Sequence, residues 1–186
     1  MADPETDLHQ GLDAVERGDT ATAETHLRSA AEAGLPDAML ALCGLLRDTG
    51  RPGEAAGWLF AAAETGHPAA NNLLGVLLVQ QGRRKQAQRA FRTAIAGGDP
   101  NAPNNLAFLF AEAGRNEDAE RLFRQAVEAG NQHAPLNLGV FLKSIGRAGE
   151  AEPWLRQAGN SDQDLNDAGG FGGRASIVWS RDDDPA

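Results

Sequence analysis

The stretch Leu74-Gly75-Val76-Leu77-Leu78, followed by Gly82 and then by Ala87-Gln88-Arg89-Ala90-Phe91 and Ala94, decides the fold. Leu74 and Leu78 stand four residues apart, one turn of a helix. Ala87, Phe91 and Ala94 fall at i, i+4 and i+7, a single apolar stripe on a second helix. Gly82 lies between the two and can close the first helix in the left-handed region. The stretch therefore reads as two short helices joined by a tight turn.

The same pattern recurs every 32 residues in both directions. Gly18, Gly50, Gly82, Gly114 and Gly146 form one column, and Ala23, Ala55, Ala87, Ala119 and Ala151 a second. Ala30, Ala62, Ala94, Ala126 and Ala158 form a third, and Leu27, Leu59, Phe91, Phe123 and Leu155 a fourth. A fifth column holds small residues: Gly11, Cys43, Gly75, Ala107 and Gly139. Small residues on the first helix let it approach its partner closely, small against small. Gly34, Gly66, Gly98 and Gly130 mark the ends of the second helices. Pro52 and Pro68 stand where helices start, where a missing N–H costs nothing. The expectation is an all-α α-solenoid of about five stacked antiparallel helix pairs, with units near 5–34, 35–66, 67–98, 99–130 and 131–160. No single pair can bury its stripe alone, so stacking supplies the core. Pro153 falls inside the last helix and should kink or shorten it.

These columns resemble the tetratricopeptide repeat. Its Leu-Gly-x2-Tyr…Ala-x3-Phe pattern is matched by Leu74-Gly75-x2-Leu78…Ala87-x3-Phe91 and by Leu138-Gly139-x2-Leu142…Ala151-x3-Leu155. The endings Ala30-Ala31-Glu32-Ala33-Gly34 and Ala62-Ala63-Glu64-Thr65-Gly66 are similar to Sel-like repeats. The period departs from the family's 34, and Met39, Asn71, Pro103 and Pro135 replace the Trp that usually opens the first helix.

The resemblance implies a non-catalytic protein–protein interaction scaffold. In such arrays the first helices line a concave groove that holds an extended peptide or partner protein. Mapped onto this sequence, the groove residues are Asn72, Val76, Asn104, Asn105, Phe108, Asn137 and Val140, with Arg47 and Lys143 further along. Asn105 and Asn137 occupy one column in consecutive units. A carboxamide both donates and accepts, so it can pair with a peptide bond whatever the peptide's sequence. The arrangement resembles the asparagine ladder of O-linked N-acetylglucosamine transferase. The competing reading is that these asparagines bond to neighbouring helices and stabilise the stacking. A carboxylate clamp needs several cations in the groove, and Arg47 and Lys143 stand far apart in the array.

Arg83, Arg84, Lys85, Arg89 and Arg92 form a basic patch on the second helix of the third unit. It reads as a dock for an acidic partner or as a solvated helix face. An alternative role for the whole chain is structural self-assembly, stacking through a poorly capped end.

Composition narrows the remaining classes. The chain has 186 residues and a net charge of −9, which repels nucleic-acid backbones. The charge is −7 over residues 1–37, +2 over 38–160 and −4 over 161–186. Lys85 and Lys143 are the only lysines, an arginine bias that suggests a bacterial source. Cys43 is the only cysteine, and as a buried residue it acts as a small hydrophobe. His9, His26, His67 and His133 are scattered, with no pair at metal-ligand spacing on one helix face. The expectations are thus no catalytic residues, no metal, no cofactor, no nucleic acid and no membrane, in a cytoplasmic protein. Residues 161–186, with Gly169-Gly170-Phe171-Gly172-Gly173 and Asp182-Asp183-Asp184, read as a flexible Gly-rich acidic tail.

Overall fold

A computed structural model describes residues 3–159. The tail expected over 161–186 lies outside the described residues. Helices are the only regular elements among those described. The chain divides into two compact units, at Gly97–Gly98.

The first unit holds α1 (Pro4–Glu16), α2 (Thr20–Glu32), α3 (Pro36–Asp48), α4 (Pro52–Glu64), α5 (Pro68–Gln80) and α6 (Arg84–Ala96). These six repeat with the 32-residue period read from the sequence. Each odd helix packs on the even helix that follows it, and each even helix packs on the first helix of the next pair. Proline opens α1, α3, α4 and α5, where its fixed φ suits the first turn. Each first helix ends in one motif. In α3, Gly50 adopts φ 76°, its N–H bonds Arg47 O at 3.0 Å, and the Arg51 N–H reaches Leu46 O at 2.7 Å. That paired geometry satisfies two terminal carbonyls.

The second unit holds α7 (Ala102–Glu112), α8 (Asn116–Glu128), α9 (Ala134–Ser144) and α10 (Ala148–Gln157). Here the first helices start two residues late, because a side chain takes over the entry turn. Asp99 Oδ1 accepts the N–H groups of Asn101 and Ala102, at 2.9 and 2.8 Å. Asn131, in the same column, accepts the His133 N–H at 3.0 Å and donates its amide to Asn101 Oδ1 at 2.7 Å. The starts of α7 and α9 are thereby joined. Pro153 lies within α10, the shortest of the ten described helices.

The core follows the columns. Leu27, Leu42, Leu46, Leu138, Leu142, Phe91, Phe123 and Phe141 are fully buried. Burying each such side chain is worth ~1.5–3 kcal/mol. The small column departs from expectation in its partner. It faces the large apolar residue 16 positions on, not another small one. A Cβ built on Gly139 would stand 2.5 Å from Leu155 Cδ2, one on Gly11 2.7 Å from Leu27 Cδ2, and one on Gly75 2.6 Å from Phe91 Cδ1. The glycine is the socket into which the partner helix's large side chain fits.

Candidate interaction surfaces

The first-helix residues proposed from sequence separate into three groups. Asn72, Val76 and Asn104 are buried, which corrects their expected place on an open groove. The cause is packing on two sides. α5 contacts α4 and α6 at once, and its buried arc takes in Asn72 and Val76 as well as Ala70, Asn71, Gly75 and Leu78. Asn104 lies where α7 meets α9, and its Oδ1 accepts the Asn137 amide at 2.9 Å. Asn105, Phe108, Asn137 and Val140 are half-buried, and Phe108 meets Phe123 edge-on with centroids 5.1 Å apart. Arg47 and Lys143 are exposed, in different units.

Asn71, at the position of the family's usual Trp, is also buried. Its amide donates to Ala63 O at 3.0 Å and to His67 O at 3.1 Å, tying α5 to the end of α4. His67 and His133 stand at the N-terminal caps of α5 and α9.

The basic residues Arg83, Arg84, Lys85, Arg89 and Arg92 are all exposed on α6 or at its N-terminal cap. The Arg83 guanidinium donates to the side-chain carbonyls of Gln86 and, at 3.1 Å, Gln81.

A set of ion pairs between repeats was missed from the sequence. Arg51, directly after Gly50, forks onto Glu54 at 2.7 and 2.8 Å and reaches back to both oxygens of Glu24 at 2.8 Å. Arg147, directly after Gly146, makes the same pairs with Glu150 and Glu120. Each latch joins the second helix of one repeat to the turn of the next. Bidentate charge-assisted bonds are the stronger kind. Hydrogen bonds from Arg28 and then Arg51 hold the Glu24 carboxyl below its ordinary range. Those from Arg147 and then Arg124 do so for Glu120. The signal was present in sequence as the recurrent Gly-Arg dipeptide, but the partners stand 27 residues apart and meet only once the pairs are stacked.

A further polar contact joins α1 to α2. The buried Asp7 carboxylate accepts the Ser29 hydroxyl at 2.7 Å and pairs with His26 Nδ1 at 2.9 Å. These two bonds lower its pKa, the Ser29 contribution being the larger. Ser29 and His26 thus each take one oxygen of the Asp7 carboxylate. Cys43 is buried, and desolvation raises its thiol pKa. Among the described residues no group of three or more His, Cys, Asp or Glu could hold a metal ion, and no helix is long and apolar enough to cross a membrane.

A family profile for tetratricopeptide repeat-like domains matches residues 4–109, and one for the tetratricopeptide repeat matches residues 104–164. The chain belongs to the tetratricopeptide repeat-like family. Solved structures agree on the fold. This tetratricopeptide-like chain superposes on the Sel1 repeat protein from Oxalobacter formigenes with a TM-score of 0.70 at 24% identity, over 84% of this chain and 72% of that one. Pseudomonas aeruginosa pilF gives 0.67 at 19%, over 87% and 78%. The MamA protein gives 0.62 at 19%, over 88% and 94%. At these identities the likeness is one of fold alone. No curated protein matches the chain in sequence.

Proposed function

We propose that the protein is a non-catalytic interaction scaffold that holds an extended peptide or a partner protein on the face of its first helices. In the second unit that face offers Asn105, Phe108, Asn137 and Val140. The observation that carries the reading is that Asn105 and Asn137 stay half-buried at equivalent positions of α7 and α9. A carboxamide mid-helix competes with the backbone, so a recurrent one calls for a use. The Asn137 amide donates to Asn104, yet its carbonyl and its second N–H keep capacity for a ligand. A cytoplasmic setting in a bacterium suits the arginine bias and the single buried cysteine.

A second reading, self-assembly by end-to-end stacking, draws on Leu12 and Val15, which stand 42% and 40% exposed on the outermost helix of the first unit. Light scattering across concentration distinguishes the two: a monomer at every concentration removes the second.

The peptide reading is tested by Asn105→Ala and Asn137→Ala together, with affinity for a partner recovered from the native host and stability both measured. Losing hydrogen bonds to a bound backbone costs ~1–3 kcal/mol, so affinity should fall by about tenfold or more. A destabilised double variant that binds its partner as the wild type does would show the asparagines to be stacking residues only.

A further inference from the structure

The Glu–Arg latch has a register, and Arg83 is the turn arginine that lacks both of its acids. Arg51 and Arg147 each receive a carboxylate from the preceding second helix, Glu24 and Glu120, and another three residues on, Glu54 and Glu150. The equivalent arginine in the third repeat is Arg83. Its two acids are replaced by Ala56 and Gln86, and the position of Arg28 and Arg124 is taken by Phe60. Arg83 is thus left with two neutral carboxamide partners. Neither it nor Arg89 forms an ion pair with an acid among the described residues.

Where the latch is missing, a shallow open groove of about 310 Å³ lies between α4 and α6, with α5 beneath it. Its lining includes Phe60, Leu74, Leu78 and Ala90 together with Arg83 and Arg89, and no acidic residue. Phe60 is 38% exposed, one of only three large hydrophobics so open among the described residues. Lys85 and Arg92 add charge along the same helix. The groove therefore combines an apolar floor with cations that lack the carboxylates their counterparts have.

We propose that this groove is a second interaction surface, on the second helices, which takes a partner peptide carrying a carboxylate beside an apolar side chain. The carboxylate sits on Arg83 and Arg89, where Glu24 and Glu120 sit on their own arginines. The apolar side chain rests on Phe60, Leu74 and Leu78. An Arg fork favours planar carboxylates. A polyanion is disfavoured by the chain's net charge of −9, whereas isolated carboxylates meet only the local cations. The surface is separate from the first-helix face, and neither proposal depends on the other.

The test is calorimetric titration of the full chain with a short unlabelled peptide in which Asp and Glu alternate with Leu and Phe. Binding should weaken as salt is raised, and the Asn/Gln counterpart of the peptide should not bind. Ala56→Glu restores the array's own latch on Arg83. It should weaken binding by at least about tenfold, the worth of a hydrogen bond to a charged group, with a melting temperature equal to or above wild type. Phe60→Ser, which leaves every charge in place, should weaken binding as well. Equal affinity for wild type and Ala56→Glu, or for the acidic and amide peptides, overturns the proposal. So does tighter binding of a single-stranded oligonucleotide than of the peptide. A rise in affinity when Asp182, Asp183 and Asp184 are all changed to Asn would make the chain's own acidic end the occupant and overturn the assignment to a partner.

Discussion

Replacing Gly75 by alanine puts the socket-and-plug packing to a test in which two physical effects oppose each other. Alanine is the better helix former, and in a helix interior the change from glycine stabilises by ~0.5–1 kcal/mol. Against this, the added Cβ would stand 2.6 Å from Phe91 Cδ1 and 2.9 Å from Cζ, with Cε1 closer still. Phe91 is fully buried, so the ring has no open space to swing into. Overpacking of this kind costs ~1–3 kcal/mol. The net expectation for Gly75→Ala is a loss of ~0.5–2 kcal/mol. Gly57, in α4, is the control. It is exposed, and nothing lies within 4 Å of its Cβ position. Gly57→Ala should therefore stabilise by the propensity term alone, ~0.5–1 kcal/mol. In a chain of this size a kilocalorie moves Tm by about 2–4 °C. Thermal melts followed by far-ultraviolet circular dichroism should move in opposite directions for the two variants. If Gly75→Ala melts at or above Gly57→Ala, the glycine is not a socket and the packing account fails.

The double asparagine variant should separate affinity from stability, and Ala56→Glu should close the α4–α6 groove while sparing the fold. Glu24 and Glu120 have carboxyls held below their ordinary range, so their contribution is complete above that range and lost as pH falls through their folded values. Glu24→Gln with Glu120→Gln should flatten the acid side of the stability–pH curve, and an unchanged acid limb would show the latches to be idle. Cys43 is buried with a raised thiol pKa; since the thiolate is the reactive form, it should react with Ellman's reagent far more slowly in the native chain than in denaturant. Equal rates would place the thiol at the surface.

The fold was legible because it is written five times. A column such as Ala23, Ala55, Ala87, Ala119 and Ala151 recurs because each position meets the same neighbour, and the prolines and glycines at the helix ends punctuate it. The late starts of α7 and α9 were less visible, since Asp99 and Asn131 act through their own following N–H groups. The site was harder to read than the fold. Asn104 and Asn105 are adjacent in sequence, yet one is buried against α9 and the other half-buried. That difference depends on which arc of α7 its neighbours cover, which no periodicity within one helix reveals. Asn72 and Val76 were misplaced for the same reason, because α5 is covered from two sides. The Glu–Arg latches stayed hidden because their partners belong to different repeats.

The socket and its plug always stand 16 residues apart, within one helix pair, whereas the latch spans the joint between two. The steric fit is thus private to each module and the electrostatic one is shared. A gene segment encoding one whole pair could be copied or excised without disturbing any socket, while the apolar and charged side chains at the new joint would have to find partners. Growth of the array by duplication would then leave its scars at the joints and not in the sockets. The alanine at position 56 and the glutamine at position 86 lie on the two sides of such a joint, where a lost acid costs the hydrophobic interior nothing and leaves an arginine for another molecule to use.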